Sequence, residues 1–452
     1  MTKPFKFQKQ GVLQIEKHNG RLLLADEMGL GKTLSTLLYL KRNKTFPAVV
    51  VCPASLKWVW RDEAKKHCKI RSVVINGQTP KKLRGGNKLY IINYEILHHW
   101  TKNLAMINPS LLIVDECHFQ KSRKAKRTKA VHKLAKNIPH IIPISGTPLT
   151  NRPAELYTTL KLLWPKEFPS FLTYAWEYCA PSRRPWGWDF SGASNLNKLH
   201  KKLKKLGMLR RLKKDVLPEL PDKIREVIKL PLSKEREYLK AENNFLSWLQ
   251  TKSKEKAKRA ARAEKLVKIG YLKRLAAELK MPFVFDWIDN FLESSDDKLI
   301  LICTQTKILQ LIYNRYKKIS VMVDGSVTGN KREKAVNDFQ KNKNIRLIVG
   351  NIGPIGTGLT LVASNHIAFV ELSFVPAEIN QAEDRINRIG QTKTSIIYYL
   401  IAKDTIEEHL CKIIQNKQHV LSTVLDGDES VNAINIYDLL EKEIYRKQKR
   451  RS

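Results

Sequence analysis

Residues 25–33 read ADEMGLGKT. A strand-like run enters this segment, and an apolar helical pattern with Leu34, Leu37 and Leu38 leaves it. Between them, Gly29 and Gly31 let backbone N–H groups turn toward phosphate oxygens, and the start of the helix adds positive potential. Lys32 has the reach for β and γ phosphates, and the Thr33 hydroxyl suits Mg²⁺. The generic pattern G-x-x-x-x-G-K-[ST] fails at its first position, where Asp26 stands. On these residues alone, an ordinary glycine turn before a helix remains the other reading.

Further along, the apolar run at 111–114 (LLIV) leads into Asp115, Glu116, Cys117 and His118. Two carboxylates at the C-terminal end of a buried strand are costly unless a cation or a polar task compensates them. In a nucleotide site Asp115 would hold Mg²⁺, and Glu116 would orient or deprotonate the attacking water. The alternative is an acidic strand end facing solvent. Residues 381–391 (QAEDRINRIGQ) place Arg385 and Arg388 three apart, on one face if the segment is helical. Planar guanidinium groups suit γ-phosphate and transition-state charge, whereas the plain alternative is a solvated basic helix face. Upstream, 350–361 (GNIGPIGTGLTL) is a glycine-rich turn whose backbone can approach a phosphate of ATP or of DNA.

These residues need a scaffold. Short apolar runs at 21–25, 48–52, 89–93, 111–115 and 141–145 read as strands, with room for crossover helices between them. From about 155 to 280 the pattern becomes helical and basic. Strand-like runs then resume at 298–303, 321–324, 345–350, 366–372 and 395–401. Two α/β units of similar design are expected, with helical material between them.

The chain has 452 residues, and a formal net charge of +39 predicts a polyanionic partner, nucleic acid before membrane. No apolar run approaches the ~18 residues needed to span a bilayer, and residues 1–10 hold no apolar signal core. The six cysteines form no C-x-x-C pair, so zinc or disulfide frameworks are not expected. The basic residues cluster. Eight Lys or Arg occur in 121–136 and nine in 198–214 without one acid, and ten occur in 252–274 against Glu255 and Glu264. Such clusters suit a DNA track that reads no sequence, although individual lysines also serve as solvated faces. Trp186 and Trp188 suit either base stacking or, more readily, core packing.

Taken in order, these motifs resemble a superfamily-two helicase motor of the Swi/Snf type, over about residues 5–425. In that resemblance Gln8 of FKFQKQG reads adenine. ADEMGLGKT is the family form of the first motif, so Asp26 is expected there, and Asp26, Glu27, Met28, Gly29, Leu30, Gly31, Lys32 and Thr33 line the nucleotide. The segment 49–60 (VVVCPASLKWVW) resembles a DNA-contacting motif and assigns Lys57 to DNA. DECH resembles the DEAH box. SGTP at 145–148 resembles the third motif, which assigns Ser145 and Thr147 to DNA. Residues 356–361 and 381–391 resemble the fifth and sixth motifs, with Gly356 and Gln381 at the nucleotide and Thr357 at DNA. Residues 190–196, 208–216, 220–223 and 269–287 resemble the HepA-related, annealing-helicase subclass, which implies fork and branched-DNA remodelling.

The resemblance implies an α/β chain of two RecA-like parallel-sheet lobes, 1–155 and 286–425. A helical basic insertion and linker at 156–285 and a C-terminal helix and basic tail at 426–452 complete it. It implies a bare motor that uses ATP and Mg²⁺. Lys32, Thr33, Asp115 and Glu116 would act from one lobe, Arg385 and Arg388 from the other, and lobe closure on DNA would stimulate hydrolysis and ratchet the motor along a duplex. Glu116, Arg385 and Arg388 are the expected catalytic residues, Thr33 and Asp115 the metal ligands, and Lys201, Lys204 and Lys205 a patch of the DNA track. A monomer working on duplex or branched DNA, with replication or repair proteins as partners, is expected inside the cell: cytoplasm or nucleoid in a bacterium or phage, nucleus in a eukaryote. The competing readings are a strand-separating DNA or RNA helicase and a non-catalytic basic DNA-binding protein.

Overall fold

A computed structural model describes residues 4–149, 152–184, 187–221, 223–252, 258–327, 329–356, 359, 361–411 and 414. Thr357 and the expected C-terminal helix at 426–452 lie outside the described residues. The chain divides into two compact units. Among the described residues, the first runs to Ser182 and includes Asp189–Leu220; the second includes Arg183–Trp188 and the chain from Pro221 onward.

The first unit is built on a parallel sheet. Its strands are β1 (Leu23–Leu24), β2 (Ala48–Cys52), β3 (Ser72–Val74), β4 (Leu89–Asn93), β5 (Leu111–Asp115) and β6 (His140–Ile144). The short strands β7 (Ser182–Arg184) and β8 (Gly187–Asp189) form a separate two-stranded ribbon, and β9 (Met208–Leu209) returns to the sheet. The order is β3-β4-β2-β5-β6-β1-β9. The apolar runs are buried along their whole length because helices cover both faces, as parallel crossovers require. The helices α1 (Lys6–Lys17) and α2 (Lys32–Asn43) contribute Val12, Ile15, Leu37 and Leu40 to the core around Val50, Ile91 and Ile113.

The second unit has six parallel strands: β10 (Lys223–Leu230), β11 (Leu299–Cys303), β12 (Ser320–Val323), β13 (Leu347–Asn351), β14 (His366–Phe369) and β15 (Ser395–Ala402), in the order β10-β15-β14-β11-β13-β12. Strand β11 shows how a continuous apolar run is used. Ile300 and Ile302 pack into one core with Ile269 and Leu272, while Leu299, Leu301 and Cys303 pack into another with Val284 and Ile288. The chain thus folds as two RecA-like α/β lobes.

Register positions the chemistry. Leu24 of β1 pairs with Ile144 of β6 and with Leu209 of β9, and Ile144 pairs with Asp115 of β5. Four adjacent strands therefore end together, and the segments that leave them emerge along one carboxyl edge, where open α/β sheets bind ligands.

Candidate nucleotide site and basic faces

The loop after β1 is the phosphate-loop segment. Gly29 and Gly31 have φ of +86° and +73°, conformations that side chains rarely adopt. Gly31 also caps α2 without a side-chain bond, and the first turn of that helix carries no acid. Its leading N–H groups thus remain available to an anion. Lys32 Nζ donates to the carbonyls of Asp26 (2.7 Å) and Glu27 (3.1 Å). Burial pushes this ammonium down to about 8, against the opposing pull of Glu116 and Asp26. Thr33, half-buried, follows in the first turn.

Gln8 is buried. Its Nε2 donates to the Leu30 carbonyl at 3.2 Å, and its Oε1 accepts from the Phe5 N–H at 3.0 Å. It ties the start of α1 to the loop, and a Cβ on Gly31 would meet its Nε2 at 2.4 Å. Met28 and Leu30 are buried against the lobe. Gly146 lies so close that a Cβ there would fall 2.1 Å from Met28 Cγ and 3.3 Å from Lys32 Nζ.

One strand pair away, Asp115 accepts from Trp60 Nε1 (2.7 Å) and from the Glu116 N–H (2.9 Å). Burial, and next the adjacent Glu116 charge, push Asp115 up to about 7. Glu116 has φ of +47°, left-handed for a non-glycine residue, a strain that clusters at functional sites. Its Oε2 accepts from Ser145 Oγ at 2.9 Å, and His118 Nδ1 lies 3.4 Å from the same oxygen. His118 Nδ1 is also 3.2 Å from Ser145 Oγ, which accepts the Thr147 N–H at 3.1 Å. DECH and SGTP thus form one hydrogen-bonded group.

Three residues expected at DNA are buried within the lobe. Ser145 is 0% exposed and its hydroxyl serves Glu116. Thr147 is buried beside it. Lys57 is buried too, with Nζ on the Ile75 carbonyl (3.1 Å) and Asn76 Oδ1 (2.6 Å). On the helix Lys57–Glu63 the exposed residues are Trp58, Val59 and Asp62.

Asp26 has a partner that the motif does not announce. Arg211 Nε donates to Asp26 Oδ1 at 2.9 Å, Arg211 Nη2 pairs with Oδ2, and the Arg211 N–H bonds Oδ1 at 3.1 Å. Glu27 accepts the Lys213 N–H at 2.6 Å, and Arg210 Nη1 binds the Ala25 and Gly146 carbonyls at 2.8 and 3.0 Å. Read as a DNA track, 198–214 therefore divides. Arg210, Arg211 and Lys213 hold the loop, whereas Lys201, Lys204 and Lys205 are exposed on the helix Leu196–Leu206, whose Leu196, Leu199 and Leu203 face inward. The signal for the first group was a pair of acids, Asp26 and Glu27, with no other cations assigned to them.

In the second unit the helix Pro376–Glu383 ends before the arginines. Arg385 and Arg388 thus do not share a helical face as expected. The chain continues in tighter i→i+3 turns, with Arg385 N–H on the Ala382 carbonyl and Ile386 N–H on Glu383. Both arginines nevertheless converge on one carbonyl, that of Leu359, at 3.1 and 3.0 Å. Arg385 also holds the Gln381 carbonyl and is buried; Arg388 is half-buried. A Cβ on Gly356 would lie 3.7 Å from Gln381 Cβ, so the fifth-motif turn and the arginine turn pack together.

Of the other two basic stretches, 121–136 carries the helix Lys126–Ala135. Ala130, Val131 and Leu134 are buried, while Lys126, Lys129 and Lys133 are exposed. Trp188 is 49% exposed and so does not fill a core as the sequence suggested; Trp186 lies outside the described residues.

Family models match across most of the chain: the SNF2-related domain over residues 7–280 and the helicase conserved C-terminal domain over 283–390. The chain belongs to the SNF2-related family. A Xenopus laevis relative, named SWI/SNF-related matrix-associated actin-dependent regulator of chromatin subfamily A-like protein 1, is 33% identical over 97% of this chain and 45% of its own length. The human DNA annealing helicase and endonuclease ZRANB3 is 34% identical over 94% of this chain and 41% of its own. The chain thus spans less than half the length of these relatives. A solved Sulfolobus solfataricus SWI2/SNF2 ATPase core in complex with dsDNA aligns at a TM-score of 0.45 with 24% identity, covering 94% of each chain.

As a nucleotide site of this family, the donor set fits a nucleoside triphosphate with Mg²⁺. The α2 N–H groups take no side-chain cap, and Asp115 has only neutral hydrogen-bond donors about its buried carboxylate.

Proposed function

We propose that this chain is an ATP-dependent DNA translocase that tracks duplex or branched DNA without reading sequence. The observation that carries the reading is the shared strand register, Leu24–Ile144–Asp115, which gathers the phosphate loop, the acid pair and Ser145 on one edge. The α2 N–H groups and Lys32 bind the phosphates, and Gln8 fixes the adenine side of the loop. Thr33 and Asp115 would hold Mg²⁺, which neutralises phosphate charge. Glu116, oriented by Ser145 and His118, takes the proton of the attacking water. Arg388 and Arg385 supply positive charge to the transferring phosphoryl group.

The exposed lysines of Lys126–Ala135 and Leu196–Leu206 support a phosphate-backbone track. The annealing activity in the name of the human relative supports branched DNA as the substrate. ATP turnover on duplex, forked and single-stranded DNA and on RNA tests the reading. Stimulation by duplex or forked DNA is expected; stimulation by RNA alone, or no turnover, would overturn it.

A further inference from the structure

Residues 208–225 are anchored at each end to a different part of this proposed machinery. Upstream, the fork of Arg211 clasps Asp26, which is 1% exposed, and Lys213 bonds Glu27 through its backbone N–H, with its ammonium 4.0 Å from the carboxylate. Downstream, Lys223 Nζ donates to Asp384 Oδ1 at 2.6 Å, and the Arg225 fork meets both oxygens of Glu383 at 3.1 and 2.7 Å. Glu383 is 0% exposed, and Asn387 Nδ2 donates to the Pro221 carbonyl at 2.9 Å.

Each clamped acid adjoins working residues. Asp26 and Glu27 open the phosphate loop, and Glu383 and Asp384 immediately precede Arg385. An ionised carboxylate is costly to bury unless it is paired, and a bidentate guanidinium fixes its orientation as well as its charge. Backbone pairing fixes the forks in turn. Leu209 pairs with Leu24 just before Arg211, and Arg225 pairs with Ile397 within the eight-residue ladder of β10 and β15.

We propose that 208–225 is a two-ended positioning segment: Arg211 sets the phosphate loop and Arg225 sets the arginine turn. Asp26, the departure from the generic loop pattern, is then the socket for Arg211. This inference deepens the functional reading above and rests on it for its kinetic consequences.

The test uses the full chain with Arg211→Ala, Arg211→Lys, Arg225→Ala and Arg225→Lys. Amide hydrogen exchange without nucleotide is the first readout. Arg211→Ala should speed exchange in residues 28–33 by about tenfold or more and leave 381–391 alone; Arg225→Ala should do the reverse. The kinetic readout should split likewise. Arg211→Ala should raise KM for ATP about tenfold with kcat little changed, and Arg225→Ala should lower kcat about tenfold with KM little changed. The lysine variants keep a charge on the buried acid and should recover part of each loss. Exchange like wild type in both alanine variants would overturn the proposal. So would exchange raised throughout the chain by all four variants, or one shared kinetic change at both ends. If wild type hydrolyses no ATP, the functional reading fails, and the exchange pattern still decides the segment's role.

Discussion

Two buried acids, Asp115 in the first unit and Glu383 in the second, are held in opposite ways. In the first, Asp115 accepts hydrogen bonds only from an indole and a backbone N–H, and burial beside Glu116 pushes it up to about 7. In the second, Glu383 is more deeply buried but takes Arg225, Lys223 and the Tyr399 hydroxyl. Its acids hold Lys223 and Arg225 above their ordinary values. One acid is kept poor in positive charge, at a loop built to receive phosphates. The other is compensated within its own unit. Burial alone thus does not set the charge environment of a carboxylate; the sign of what surrounds it does.

The contrast breaks most visibly at the first acid pair. Lys32→Ala should abolish ATP hydrolysis. Glu116→Gln should cut turnover by roughly 10³-fold while a fluorescent ATP analogue still binds, since only the base is lost. Unaltered turnover in Glu116→Gln would remove the chemistry from this edge.

On the arginine side, Arg388→Ala should retain ATP and DNA binding and lose about 10³-fold in kcat. Arg385→Ala should in addition lower the thermal midpoint, because Arg385 is buried on two carbonyls. A near-normal kcat for Arg388→Ala would assign the role to Arg385 alone or to neither.

Stability sharpens the comparison further. Glu383→Gln leaves the partly exposed Arg225 short of its acid while Lys223 keeps Asp384, and should destabilise the second unit by about 1–3 kcal/mol. Asp115→Asn should be neutral or stabilising in the first, with both read from the slowest-exchanging amides of β14 and β5. The pH dependence follows from the raised value of Asp115. Folding holds a proton there that the unfolded chain releases near 3.8. Its contribution is therefore full below that pH and is lost as pH rises through about 7. Asp115→Asn should flatten that loss.

The smallest effect is at the exposed helix. Reversing Lys201, Lys204 and Lys205 should weaken duplex binding and reduce its log–log salt slope by up to about 3. ATP turnover without DNA should not change. An unchanged slope would move the track to the Lys126–Ala135 face.

Much of this was legible in the sequence. The buried strands are continuous Val, Ile and Leu runs, and the loop and acid motifs carry their chemistry in residue type and spacing. What was missed has a physical reason. Strand β10 (KIREVIKL) lies at the sheet edge, where Ile224 and Val227 are exposed and Lys223 and Arg225 meet Glu383 and Asp384, so it lacks an apolar run. Strands β3 and β9 are three and two residues long, too short for periodicity. Arg211 was counted with a basic cluster because composition does not reveal which cations have an acid 185 positions away. Trp60 likewise reads as part of a DNA-contacting motif until its indole is seen on Asp115.

The most direct test of the account is steady-state ATP turnover titrated with duplex DNA, for wild type beside Glu116→Gln. The account predicts a saturable rise in kcat for wild type and none for the variant. A wild-type rate indifferent to DNA, or equal rates in the two proteins, would contradict it.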